Sequence, residues 1–221
     1  MKNFFKKFLT ATFALGIFLS GNAQASVAPP PMVQKPIPQT ANRERLTLEY
    51  AQRHYGLSQT TIVPQAVVVH WTAGNTWESA YYTFHNETRS DGTGTVNVCS
   101  HYIVDKDGII YCLTPETALN RHAIGYNWCS IGIENVGGVG GREDLTQAQL
   151  QANIDLIKYL HDKYPTIKYV FGHYQQVAAR ASGLYIENVQ GYYSLKPDPG
   201  PTFMRGLRDA LQGDGLTFYP L

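Results

Sequence analysis

"VVVHWTAGNTWESAYYTFHNE" (Val67–Glu87) sets three valines directly before a histidine and a Thr-Ala-Gly turn. An unbroken β-branched run reads as a strand covered on both faces, the pattern of a sheet buried between layers. His70 then stands where the strand runs out, at the carboxyl edge where open α/β sheets place their sites. Taken alone, such a histidine is a boundary residue bonded to its own loop. A metal ligand or a catalytic base needs partners from elsewhere in the chain.

Outward from this strand, helical and extended patterns alternate without a strict repeat. Upstream, "ERLTLEYAQRHYG" (Glu44–Gly56) puts Leu46, Tyr50 and His54 at helical spacing, with Gly56 as the stop. Downstream, Ser79–Glu87 is expected to be a helix carrying Tyr82 and Phe84 inward. In "CSHYIVDKDGIIYCL" (Cys99–Leu113), two short apolar runs flank Asp107-Gly108, a hairpin signal. "SIGIENVGG" (Ser130–Gly138) is a strand leading into a glycine-rich loop, with Ile131 and Ile133 on one face and Gly132 and Glu134 on the other. "LTQAQLQANIDLIKYLHDKYP" (Leu145–Pro165) carries a Thr146/Gln149 capping box and a stripe of Leu150, Ile154, Ile157 and Leu160. "KYVFGH" (Lys168–His173) is a strand that ends in a histidine, as the first did, and Pro201 opens a closing helix over Thr202–Leu211. The pattern predicts an α/β fold with a mixed central β-sheet flanked by helices on both faces.

The chain ends and the composition bound the rest. Lys2, Lys6 and Lys7, the short apolar run Phe8–Leu19 and Ala23-Gln24-Ala25 read as a secretory signal peptide over residues 1–25, with a retained membrane anchor as the alternative. Export to the periplasm or medium follows from that reading, with no stable membrane insertion once the leader is cut. Residues 26–41 contain "APPPMVQKPIPQT" and read as a proline-rich linker, leaving residues 42–221 as one domain. Removing the leader takes three lysines and no acids, so the formal charge falls from +1 to −2. That balance excludes a nucleic-acid partner held by charge. Cys99, Cys112 and Cys129 allow one disulfide in an exported protein, in any of three pairings.

Two strands therefore end in histidine, His70 and His173, and "KPDPGP" (Lys196–Pro201) holds Asp198 between two prolines that stiffen the backbone around it. Aspartate in such a segment is usually a turn former. Two histidines and a carboxylate nevertheless make a three-ligand set that leaves the fourth position of a tetrahedral zinc open. The ordered series "VVVHWTAG", "SHYIVDKDGIIY", "RHAIGYNWCSIGIENVGG", "FGHYQQVAAR" and "KPDPGP" resembles the type 2 zinc-dependent N-acetylmuramoyl-L-alanine amidases, which share a fold with phage lysozyme-amidases and peptidoglycan recognition proteins. The resemblance runs over roughly Leu46–Leu211. It implies one Zn²⁺ per chain held by His70, His173 and Asp198, with Glu134 as general base and Lys196 supporting the developing oxyanion. It further implies cleavage of the amide between N-acetylmuramic acid and L-alanine in peptidoglycan or muropeptides. A non-catalytic peptidoglycan-binding module of the same fold and a zinc peptidase acting on the stem peptide are the rival readings.

The remaining histidines His54, His85, His101, His122 and His161 are expected to serve packing or the surface, with His101 and His122, which lie in the family-like stretches, as candidates to neighbour the cleft. Where the family has a short loop between the second and third ligands, Ala181–Leu195 ("ASGLYIENVQGYYSL") intervenes here. Its glycines offer flexible ends and Tyr185, Tyr192 and Tyr193 offer flat surfaces, so it is expected to form a flap on the cleft wall.

Overall fold

The structure is a computed structural model that describes residues 27–220. The leader expected over residues 1–25 lies outside the described residues. In chain order the elements are β1 (Met32–Gln34), α1 (Ala41–Tyr55), β2 (Ala66–Trp71), α2 (Trp77–His85), β3 (Tyr102–Val104), β4 (Ile110–Cys112), β5 (Ser130–Asn135), α3 (Gln147–Lys163), β6 (Tyr169–Gly172), α4 (Pro201–Leu211) and β7 (Thr217–Phe218). The seven strands form one sheet in the order β1-β4-β3-β5-β2-β6-β7. The β3–β4 hairpin pairs antiparallel while every other neighbouring pair is parallel, so the sheet is mixed.

All six residues of β2 are buried, as its β-branched run requires of a central strand with neighbours on both edges. Val67 and Val69 face α3 and α4, packing with Ile131, Ile133, Leu156, Ile157, Leu160 and Leu207. Ala66 and Val68 face the other way, toward Tyr126 and Phe171. On that same side α2 covers Ile103 and Tyr111 through Ala80 and Phe84. Helices thus lie on both faces of the sheet. The alternation also decides where the site falls, because His70 and Glu134 share the parity of Val68 and so project from the α2 side.

The helices form where the caps and stripes place them. Gly56 closes α1 with φ 70°, and the Thr146/Gln149 capping box opens α3. The buried face of α3 is rotated from the expected stripe: Leu156, Ile157 and Leu160 are buried together with Gln149 and Asn153, while Leu150 and Ile154 lie at the margin. The two buried amides are used by the sheet. Gln149 Nε2 donates to the carbonyls of Val104 and Val136 (3.1 and 2.9 Å), and Asn153 Nδ2 donates to Asn135 Oδ1 (2.7 Å). In α2, Phe84 is buried but Tyr82 is 66% exposed, because a helix nine residues long offers the core one narrow stripe.

The proline-rich segment is extended, as its composition predicts, but it is not free. Met32–Gln34 adds to the sheet edge beside β4, and Ile37 is buried against α2. Thr40 caps α1. Proline is tolerated beside an edge strand because only one side of the ladder is paired. No disulfide forms: Cys99, Cys112 and Cys129 are all free thiols, the first and last buried.

Candidate metal centre

Strand register assembles the site. His70 pairs with Glu134 across β2 and β5, and His173 follows the last residue of β6, the other neighbour of β2. The Asn135 side chain donates to the His70 carbonyl at 3.0 Å and pins the strand end. Asp198 arrives from the Lys196–Pro201 loop, which is tied down where Tyr174 N donates to the Asp198 carbonyl (2.8 Å). Gly172 makes this approach possible: a Cβ there would lie 2.7 Å from Pro199 Cδ.

The three side chains meet at one point. His70 Nδ1 lies 3.1 Å from His173 Nδ1 and 3.0 Å from Asp198 Oδ2, and His173 Nδ1 lies 3.3 Å from the same oxygen. All three residues are buried. Donors bound to a tetrahedral zinc at about 2.0–2.1 Å stand roughly 3.3 Å from one another. The observed spacings fit that arrangement. Two imidazole nitrogens and a carboxylate oxygen also form the nitrogen–oxygen donor set that zinc accepts.

Electrostatics point the same way. Burial pushes Asp198 up, but the close contacts with the His173 and His70 rings outweigh it and hold the carboxyl well below its usual range. Burial lowers His70 below the ordinary histidine value despite Asp198. Glu134 moves in the opposite direction. Burial and then the Asp198 charge raise it well above the ordinary carboxylate range, with Lys196 opposing, and its Oε2 is buried without a hydrogen-bond partner.

A cleft of about 390 Å³ opens over the cluster, lined by His70, His122, Glu134, His173, Lys196 and Asp198 among others. All five residues singled out from the sequence therefore line one cavity, the three donors in mutual contact and the exposed Lys196 at its edge. A second cleft of about 460 Å³ shares His122, His173 and Lys196 with the first and continues past Arg121 to Tyr192 and Tyr193. Val189, Tyr192, Tyr193 and Ser194 of the Ala181–Leu195 insert form one side of it. Tyr185 does not line this cleft: its ring packs on Gly125 and Tyr126 beneath the Arg180 guanidinium.

His122, one of the two histidines that were candidates to neighbour the cleft, does line it. Its Nδ1 lies 3.1 Å from His70 Nε2, on the side of that ring away from the cluster. The sequence held one clue to it: Gly132, a glycine inside a strand, often marks a close approach.

Known proteins of this architecture share the arrangement of elements. The N-acetylmuramoyl-L-alanine amidase LysCS from Clostridium intestinale URNW superposes with a TM-score of 0.52 at 19% identity, covering 87% of this chain and all of its own. LysC from the same organism gives 0.50 at 23% identity, over 71% of this chain and 88% of its own. A model of the N-acetylmuramoyl-L-alanine amidase family matches residues 58–201, and the chain belongs to that family. The endolysins of Escherichia phage T7 and Klebsiella phage KP32 are 36% and 32% identical over 75 residues, 32% of this chain. The chain spans half the length of these curated relatives.

Proposed function

We propose that this protein is a zinc-dependent N-acetylmuramoyl-L-alanine amidase that cuts the amide between N-acetylmuramic acid and L-alanine in peptidoglycan or muropeptides. The observation that carries this reading is the convergence of three buried donors beside a half-buried glutamate whose Oε2 is buried without a partner. His70, His173 and Asp198 would hold the ion, leaving its fourth position to the cleft. Bound there, zinc supplies a Lewis acid and lowers the pKa of water to about 7.

The chain's own residues do the rest. Glu134, raised by burial, is suited to take a proton from the attacking water and pass it to the leaving amine of L-alanine. Lys196 is an exposed residue lining the cleft, where its ammonium can face the oxygen on which negative charge develops. Family membership and the endolysin names of the phage relatives support a cell-wall substrate. Such a substrate lies outside the cytoplasmic membrane, which agrees with the export expected from residues 1–25. No helix of the described residues is long and apolar enough to cross a membrane.

The decisive experiment is mass spectrometry of peptidoglycan digested by the purified protein. Free stem peptides with an L-alanine amino terminus are the expected product. Fragments cut within the stem would make the protein a peptidase, and binding without cleavage by zinc-loaded protein would make it a recognition module.

A further inference from the structure

The environment of His70 on the side away from the cluster is a chain of hydrogen bonds with only one self-consistent direction. His122 Nε2 faces the Ser130 carbonyl at 3.2 Å. A carbonyl only accepts, so Nε2 carries the hydrogen. The Ser130 hydroxyl, 3.4 Å away, does not compete, because it donates its own hydrogen to the Tyr126 carbonyl at 2.8 Å. A neutral imidazole has one N–H, so His122 Nδ1 presents a lone pair. That lone pair faces His70 Nε2 at 3.1 Å. His70 must then donate from Nε2, which leaves Nδ1 bare and aimed at His173 and Asp198.

We infer that His122 is a positioning residue for the metal centre: it accepts the His70 Nε2 hydrogen, fixes the tautomer that exposes Nδ1 as a ligand, and orients the ring. This rests on the zinc reading of the site. The role is the one a carboxylate or carbonyl fills behind many ligand histidines. Here an imidazole fills it, held in turn by the backbone of β5.

Three features of the sequence keep His122 in place. Asn127 Oδ1 accepts from the backbone N–H groups of His122 and Ala123, at 2.8 and 2.6 Å, and so fixes the loop that carries the ring. Gly132 supplies the room. A Cβ at that position would lie 2.7 Å from His122 Cγ and Nδ1, closer than real contacts allow. Gly132 also lies on the Glu134 face of β5, so the ring rests on the same strand surface as the proposed base. His101 braces the other side: it accepts from Gly132 N at 3.0 Å, and its ring meets that of His122 edge-on at 5.8 Å.

The test is zinc affinity by chelator competition on the purified protein and three variants, with folding checked by circular dichroism. His122→Leu keeps the bulk but removes the acceptor, and should weaken zinc binding by about 10-fold to 100-fold. His122→Asn restores an oxygen acceptor near the Nδ1 position and should recover most of that loss. Gly132→Ala leaves every ligand and His122 itself intact, yet should weaken binding by displacing the ring. In the zinc-loaded wild type, nuclear magnetic resonance should show scalar coupling between His70 Nε2 and His122 Nδ1 across an N–H···N bond. Zinc affinity of folded His122→Leu within twofold of wild type, or no such coupling, would overturn the inference while leaving the zinc site standing. Failure of the wild type to bind zinc would overturn both.

Discussion

His70, Glu134 and His173 stand at the ends of three neighbouring strands, whereas Ala181–Leu195, which lends four residues to the lining of the second cleft, contains no strand at all. At the sheet edge, position follows from pairing. A one-residue slip of β5 against β2 would turn Glu134 to the α3 side and Ile133 into the cleft, so the buried valines and isoleucines that fix the register also fix the chemistry. The insert is held by individual latches instead. Glu187 Oε1 meets His54 Nδ1 at 2.8 Å with both side chains buried, Arg121 donates to the Tyr192 hydroxyl at 2.6 Å, and Asn188 N donates to the His54 carbonyl at 2.9 Å. Chemistry placed by register tolerates little change, while a wall placed by latches can be altered one contact at a time. Perturbations of the two regions should therefore differ in kind as well as in size.

The largest effect belongs to the ligands. His173→Ala should lose bound zinc by metal analysis and lose amidase activity with it, because two remaining donors make a poor zinc site. The wild-type protein should carry about one zinc per chain, and thorough chelation should abolish activity that added zinc restores. Full turnover in the demetallated protein would place the chemistry elsewhere. Glu134→Gln comes next. It should keep its zinc and still bind peptidoglycan, but hydrolyse it about 10²-fold more slowly or worse. Loss of metal in that variant would make Glu134 part of the metal support rather than the base.

These positions were open to sequence reading because strands ending in histidine, an alternating "IGIE" and a proline-bracketed aspartate are local signals. The resemblance to the amidases then tied them into one site. The resemblance brought His122 near the cleft but not to a role, because that role depends on a contact made across 52 residues with His70, and a histidine in a loop has no periodicity to betray it. Strands β1 and β7 escaped for a different reason. Three and two residues long, they are made strands by the neighbours they pair with rather than by pattern, and proline content around Met32 argued for a free linker. The mixed sheet and its helical layers were legible from the apolar runs and caps. The rotation of α3 was not, since Gln149 and Asn153 look like surface residues until the sheet supplies their partners.

A third perturbation tests how rigid the register-built region is. Burial lowers His101 to about 4, and its Nδ1 accepts the Gly132 N–H directly behind the site. The unfolded chain binds a proton at this histidine below about pH 6.5, while the folded chain resists until about 4. In that window the unfolded state holds more protons, so stability falls as pH falls. The contribution is on the order of 3 kcal/mol across the full window. Urea unfolding of the metal-free protein at pH 7 and pH 4.5 should show the loss, and His101→Gln should flatten it. An unchanged slope in that variant would assign the acid sensitivity to other groups.

The smallest expected effect is on the insert, and it separates the two regions most cleanly. Tyr193 is 68% exposed and Leu195 71% exposed, and Tyr192, Tyr193 and Ser194 line the second cleft, which shares His122, His173 and Lys196 with the metal cavity. Apolar side chains held open to solvent beside the proposed metal site are suited to contact a bound glycopeptide, whose sugar faces stack on aromatic rings. The insert nevertheless contributes no donor to the cluster, and the Asp198 loop is anchored independently through Tyr174. Replacing Ala181–Leu195 with a short Gly-Ser linker should therefore leave zinc content unchanged, although stability falls with the loss of the buried Glu187–His54 pair and of the Tyr185 packing. What should change, by a few-fold, is the ratio of activities on intact sacculi and on small muropeptides, because only the larger substrate reaches the whole wall. The single substitution Tyr192→Phe should shift the same ratio less, as it removes only the hydroxyl that accepts from Arg121. If the replacement lowers zinc content, the two regions are not independent and the comparison fails. If both activities keep their ratio, the insert is a surface decoration and the second cleft is no part of the substrate path.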